Sequence, residues 1–219
     1  MPHSETTVHR PRVEGDREQQ ILDATLEVLS DVGYDRLTMD AVATRAKASK
    51  ATLYRRWNGK VSLVIDALLS VKSTPAAPDT GSLRGDLIES FCGEGGLTDE
   101  RSVATFASVI TAISRDREFA EAFRKDVIGP KAALTRTIFD RARERGEIPD
   151  LVDLDLLAPA LAGIVLHRLY LMGEQPDRAL ITRVIDQIIL PAATAPTAAA
   201  PSPAGTESPS HDKTKDHHG

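Results

Sequence analysis

Residues 33–60 read GYDRLTMDAVATRAKASKATLYRRWNGK, and the fold turns on how that stretch is divided. Thr38 and Ser49 each bear a hydroxyl able to accept a backbone N–H at a helix start. MDAVATRA after the first and KATLYRRW after the second then read as short helices, joined by AKAS. Two short helices around a tight turn form a helix-turn-helix layout. In that layout the second helix enters the DNA major groove by its N-terminal residues, while the first crosses the backbone.

Charge points the same way. From Arg36 to Lys60 the cations are Arg36, Arg45, Lys47, Lys50, Arg55, Arg56 and Lys60, against Asp40 alone, a balance of +6. The whole chain carries −5, so the remainder must carry −11. A positive patch on an acidic body fits a polyanion, and a solvated basic helix face is the plainer alternative.

Outward from this stretch the periodicity is helical, with no convincing strand. Residues 17–32 place Ile21, Leu22, Leu26, Leu29 and Val32 on one face, and Gly33 supplies a stop. A helix from Gly59 or Lys60 carries Val61, Val64, Ile65 and Leu68. After the proline-rich connector 73–82, helices are expected at 82–92, 99–114 and 116–145, the last kinked or broken at Gly129-Pro130. Apolar helices at 154–172 and 177–190 close the ordered part. The Ala/Pro/Ser-rich remainder, 192–219, reads as a disordered tail, its His211, His217 and His218 forming no fixed metal site.

Of 219 residues 41% are hydrophobic and 4% aromatic, the composition of a helical globular protein. Cys92 is the sole cysteine, which excludes an internal disulfide and a cysteine-rich zinc site. The N-terminus has no apolar signal core, and no run approaching the roughly 18–20 apolar residues of a membrane span is evident. A cytoplasmic protein with no membrane association is expected. No Gly-rich phosphate loop, Gly-x-Ser-x-Gly or His-Glu-x-x-His is found, so nothing supports an enzyme or a cofactor.

Within the helix pair, Lys50, Ala51 and Thr52 occupy the first turn of the second helix. A cation there can reach guanine acceptors, a small residue permits close approach, and a hydroxyl or methyl can meet a base. Tyr54, Arg55, Arg56 and Lys60 lie further on, suited to phosphates, while Leu53 and Trp57 face inward.

The stretch strongly resembles the DNA-binding signature of the TetR family of bacterial transcriptional regulators, over about residues 17–65. The match includes Gly33, Tyr34, Thr38, Ala43, Ala46, Ser49, Thr52–Tyr54, Trp57 and Lys60. Lys47 stands where members often carry Gly, and Asn58-Gly59 where they often carry Pro-Ser. The resemblance implies phosphate contacts from Thr38, Ser49, Tyr54, Arg55, Arg56 and Lys60, and groove contacts from Lys50, Ala51 and Thr52. Lys47 adds a further phosphate candidate, and His9, Arg10 and Arg12 are candidates for minor-groove or backbone contacts.

The expected architecture is all-α: a flexible arm (1–13), a three-helix helix-turn-helix head (14–60), then a ligand-binding and dimerisation domain (61–191). The resemblance implies a homodimer through the helices at 154–172 and 177–190, double-stranded DNA as a palindromic operator, and a small-molecule effector. Candidate pocket residues are Phe91, Cys92, Phe106, Phe119, Phe123, His167 and Tyr170, for each of which core packing is the alternative. An architectural DNA-binding protein without effector, or a ligand-binding protein with a vestigial head, remain rival readings.

Overall fold

The computed structural model describes residues 12–70 and 76–195. His9 and Arg10, connector residues 71–75, and the tail from 196 with its histidines lie outside the described residues. Every regular element among those described is helical.

Helix α1 (Arg12–Arg36) starts inside the segment expected to be a flexible arm. It departs from helical geometry at Gly33, φ 73° and ψ 168°, where a residue without Cβ is favoured. Thr38 caps α2 (Met39–Arg45) by accepting from Ala41 N at 3.1 Å, and Ser49 caps α3 (Lys50–Arg56) by accepting from Thr52 N at 3.1 Å. Between them α2 ends in a Schellman motif: Ala48 N donates to Ala43 O at 2.8 Å and Lys47 N to Thr44 O at 3.1 Å. The motif puts its C′ residue in the left-handed region, and here that residue is Lys47, at φ 49°. Helix α4 (Lys60–Ser70) then runs along α1.

The C-terminal part comprises α5 (Leu83–Cys92), α6 (Glu100–Arg115), α7 (Arg117–Ala122), α8 (Gly129–Glu144), α9 (Leu154–Leu157), α10 (Ala160–Met172), α11 (Arg178–Val184) and α12 (Leu190–Thr194). Of the kink or break expected at Gly129-Pro130, the break is absent. A π-helical turn, Phe123–Ile128, joins α7 to α8, with Gly129 N–H reaching back five residues to Arg124 O. The widened turn changes the bonding register just before the residue that has no N–H, so the helix continues through Pro130. The same device recurs at Ile185–Ile189, where Leu190 N–H donates to Ile185 O ahead of Pro191. Helix therefore extends to Thr194, past the expected start of the tail at 192, and buries Ala193.

Apolar side chains gather into two cores that do not follow the expected division at residue 60. One joins α1–α4 to Val109 and Ala112 of α6 and to Phe119 and Phe123. The other joins α5 and the end of α8 to α9, α10, α11 and Ala193. Beneath the second, the wholly buried Asp86 accepts from Thr80 N at 2.6 Å, Thr80 Oγ1 at 2.7 Å and Arg145 at 3.1 Å. Burial pushes the Asp86 carboxyl up, but these donors outweigh it and hold the group below the usual carboxylate range.

The stretch Leu154–Met172 corrects one expectation: with a mean hydropathy of 1.5 over 19 residues it is long and apolar enough to cross a bilayer, and only 28% of it is buried. Pro159 separates its two helices, and Asp155 and Arg168 interrupt the apolar run.

Two stability outcomes follow. Arg145→Met leaves a buried carboxylate without its cation and should cost about 3 kcal/mol in urea unfolding at pH 7. A depressed carboxyl stabilises the fold above its unfolded pKa of about 4 and loses that contribution as pH falls through its folded value. The deficit of Arg145→Met should therefore shrink in acid; a deficit constant with pH would dissociate Arg145 from the Asp86 charge. Lys47→Gly relieves a left-handed lysine, less the greater chain entropy of glycine, and should raise the unfolding free energy by about 0.5–1 kcal/mol.

Candidate nucleic-acid interface

A helix of seven residues such as α3 cannot persist in water alone. Leu53 and Trp57 hold it, at 0% and 2% exposure, and the Trp57 indole N–H donates to Asp66 of α4 at 2.9 Å. Each of these side chains contributes roughly 2–3 kcal/mol through burial. With that face fixed inward, the helical repeat turns Lys50, Ala51, Tyr54, Arg55 and Arg56 to solvent, Tyr54 being 57% exposed. Thr38, Lys47 and Ser49 are exposed beside them. Thr52 is half-buried, and its hydroxyl lies 2.8 Å from Ser49 Oγ, so it serves the cap in the free protein.

The cations of this face differ in what they already hold. Arg55 makes no ion pair among the described residues. Lys50 Nζ lies 2.7 Å from Asp40 Oδ2, a contact that raises the lysine pKa chiefly through the hydrogen bond. Arg56 reaches back to Glu18 of α1 at 2.9 Å. Arg45, counted in the basic stretch, is spanned by Glu27 at 3.0 Å and Asp31 at 2.7 Å and braces α2 on α1. Arg17 donates to the Lys47 carbonyl at 2.7 Å, securing the turn.

Lys60 is placed differently from the other phosphate candidates. Its ammonium sits 3.9 Å from the centroid of the Tyr34 ring and is half-buried; desolvation lowers its pKa against the pull of Asp35 and Asp116. The Tyr34 hydroxyl donates to Asp116 Oδ2 at 2.7 Å, and Arg115 pairs with Asp35 at 3.0 Å. Burial foremost, then Asp116, pushes the Tyr34 hydroxyl well above the ordinary tyrosine pKa. The Tyr34–Asp116 and Asp35–Arg115 contacts fasten the head to the α6–α7 corner, and sequence reading missed them because the partners lie 80 or more residues apart.

Of the pocket candidates, four are brought together in a chain of rings. Phe119 lies 4.4 Å from Tyr34 between ring centroids, Phe123 5.6 Å from Phe119, Phe106 6.0 Å from Phe123 and Tyr170 5.9 Å from Phe106. Phe119 and Phe123 are buried core, whereas Phe106 and Tyr170 are half-buried. Phe91 and Cys92 belong instead to the edge of the second core. Cys92 lines an open groove of about 450 Å³ with Thr80, Arg84, Ile88, Glu89 and Arg178, and burial raises its thiol pKa. His167 is exposed on α10. No cluster of metal-ligating side chains occurs among the described residues.

Comparison with known proteins accords with this geometry. Residues 21–67 match the family described as bacterial regulatory proteins, tetR family, and residues 77–188 match the tetracyclin repressor-like C-terminal domain. An uncharacterised helix-turn-helix transcriptional regulator of Mycobacterium tuberculosis is 35% identical over 185 residues, spanning 83% of this chain and 90% of that protein. A DNA-binding transcriptional repressor of Mycobacteroides abscessus, named TetR, is 34% identical over 180 residues, spanning 80% and 92%. A crystal structure of a TetR family transcription regulator superposes with a TM-score of 0.63 at 30% identity, covering 83% of this chain and 100% of its own. The chain belongs to the TetR family of bacterial transcriptional regulators, DNA-binding proteins and not enzymes.

Proposed function

We propose that the chain acts in the cytoplasm as a homodimeric, sequence-specific repressor that leaves a palindromic operator when a small molecule binds its C-terminal part. The observation that carries this reading is the exposed face of α3. Lys50 and Ala51 stand at its N-terminal end and Tyr54 and Arg55 behind them, on a helix locked by Leu53 and Trp57. The relative from Mycobacteroides abscessus is named a repressor, which favours repression here.

Dimerisation is supported by apolar surface left open on the last helices. Leu156 and Leu171 are each 74% exposed, Met172 59% and Ile188 46%. A second copy would cover this surface symmetrically and pair two recognition helices, which is why the operator would be palindromic. It also accounts for the poorly buried apolar run from Leu154 to Met172 without a membrane. Effector release draws support from the connection of head to body. Displacement of the α6–α7 corner by a ligand near the half-buried Phe106 and Tyr170 would act on Tyr34 through Asp116 and Phe119. The effect is limited to the difference in ligand affinity between the DNA-bound and released states.

The reading is tested by selecting bound duplexes from a random library near physiological salt, with the Arg55→Ala protein in parallel. Enrichment of one palindrome is expected, and the recovered operator then serves to screen small molecules for release. Arg55→Ala should weaken binding to all sequences and shallow the salt dependence by about one unit. Lys60→Ala should change that slope less, because its ammonium already rests on Tyr34; equal slopes for the two variants would show that Lys60 leaves the ring to meet phosphate. Leu171→Glu combined with Ile188→Glu should give a folded monomer by sedimentation and reduce operator affinity at least tenfold. A dimer that survives both charges would place the interface elsewhere.

A further inference from the structure

Within the basic stretch 36–60 one acidic residue stands alone, Asp40, and it does not point away from the recognition helix. It belongs to the first turn of α2, yet its Oδ2 lies 2.7 Å from Nζ of Lys50, the first residue of α3. Both side chains remain well exposed, at 59% and 62%, so the pair is an outer feature of the reading face rather than part of the core. Exposed ion pairs add little to stability, which leaves the fold no strong need for this one. On a surface that meets phosphates, a carboxylate opposes binding unless it finds a donor. The hydrogen-bond donors that duplex DNA offers in the major groove are the exocyclic amino groups of cytosine and adenine.

We propose that Asp40 is a specificity-determining residue, forming with Lys50 a joined acceptor and donor that read the two bases of one G·C pair. The inference rests on the reading of α3 as the recognition helix. Lys50 donates to guanine O6 and N7, and Asp40 accepts from the cytosine N4 amino group. Guanine O6 and cytosine N4 are neighbours across the pair, as the two side-chain atoms are neighbours on the protein. A thymine at the place of cytosine offers Asp40 no donor and brings a methyl group towards it. An A·T pair in the same orientation denies Lys50 the O6 acceptor. Lys50 alone would favour guanine; Asp40 adds a penalty for every pair that leaves its charge facing an acceptor or a phosphate.

The test is selection from a random duplex library with the full chain as wild type, Asp40→Ala, Asp40→Asn and Lys50→Ala. Affinities for the enriched operator and its single-pair variants are then measured at one salt concentration. In the wild type, replacing the G·C pair recognised by Lys50 with A·T in the same orientation should weaken binding roughly tenfold. In Asp40→Ala that penalty should fall below about threefold at this position only, while binding to unrelated DNA tightens because a negative charge has left the face. Asp40→Asn should shift the same position towards adenine, whose N6 and N7 an amide can meet together. Thermal unfolding of the variants should stay close to that of the wild type, since the residue is exposed.

An Asp40→Ala profile identical to the wild type at every position would overturn the proposal. So would a uniform loosening at all positions, which would make Asp40 only a prop for α3. If the wild type itself enriches no sequence, the recognition-helix reading fails and the Asp40 assignment falls with it. Enrichment by the wild type, with an unchanged Asp40→Ala profile, rejects Asp40 alone.

Discussion

The burial of Leu53 and Trp57 is the constraint on which the proposed DNA-reading surface depends. Helices α2 and α3 have seven residues each, too few for either to hold its own hydrogen bonds against water. Tertiary contact supplies what propensity cannot. The two side chains, four positions apart, fix the rotation of α3 about its axis, and the indole N–H bond to Asp66 ties that rotation to α4. The direction in which Lys50, Tyr54 and Arg55 point is therefore a consequence of core packing. Loss of the Trp57 ring would disorganise the face without touching any residue proposed to meet DNA.

That core is not confined to the head. Val109 and Ala112 of α6, with Phe119 and Phe123, complete the packing around α1 and α4. The head thus folds against part of what the chain order would assign to the regulatory domain. Tyr34 on Asp116 and Asp35 on Arg115 span the seam, and Lys60 rests on the Tyr34 ring from within the head. Lys60 is the residue with divided allegiance. The resemblance implies that it meets phosphate, whereas in the free protein its charge lies over an aromatic face and near Asp116. If it turns to DNA, the Tyr34 ring loses its cation, which would link occupancy of the operator to the corner between α6 and α7 through the Tyr34–Asp116 bond.

Much of the head was legible in the sequence because its determinants are local. Thr38 and Ser49 cap through their own hydroxyls, Gly33 leaves the helix where the apolar repeat ends, and the i,i+4 spacing of Leu53 and Trp57 marks the inward face. The left-handed Lys47 was also foreseeable, since the Schellman turn demands that conformation whichever residue occupies it. What escaped depends on encounters between distant segments. The types of Phe106, Phe119, Phe123 and Tyr170 are visible in the sequence, but not that their rings follow one another from Tyr34 to α10. Phe91, Cys92 and His167 share the same helical region of the sequence, yet the fold sets Phe91 and Cys92 at the edge of the second core and leaves His167 exposed on α10.

The prolines show a different reason for failure. A proline within a helix removes a donor and crowds the carbonyl four residues back, so a kink or break at Pro130 and an end near Pro191 were the natural expectations. The chain continues as helix through both by widening the preceding turn, with Gly129 and Leu190 each bonding five residues back. The cost of a π-turn is recovered through packing: Phe123 at the start of the first enters the core of the head, while Ile185 and Ile189 in the second are buried in the core of the body. The continuous helix from α7 to α8 consequently leaves one core and enters the other across its widest turn. In the proposed repressor that turn adjoins the ring chain and the Tyr34–Asp116 bond, so a change in its register would move Phe123 in the core of the head and alter how body and head are held.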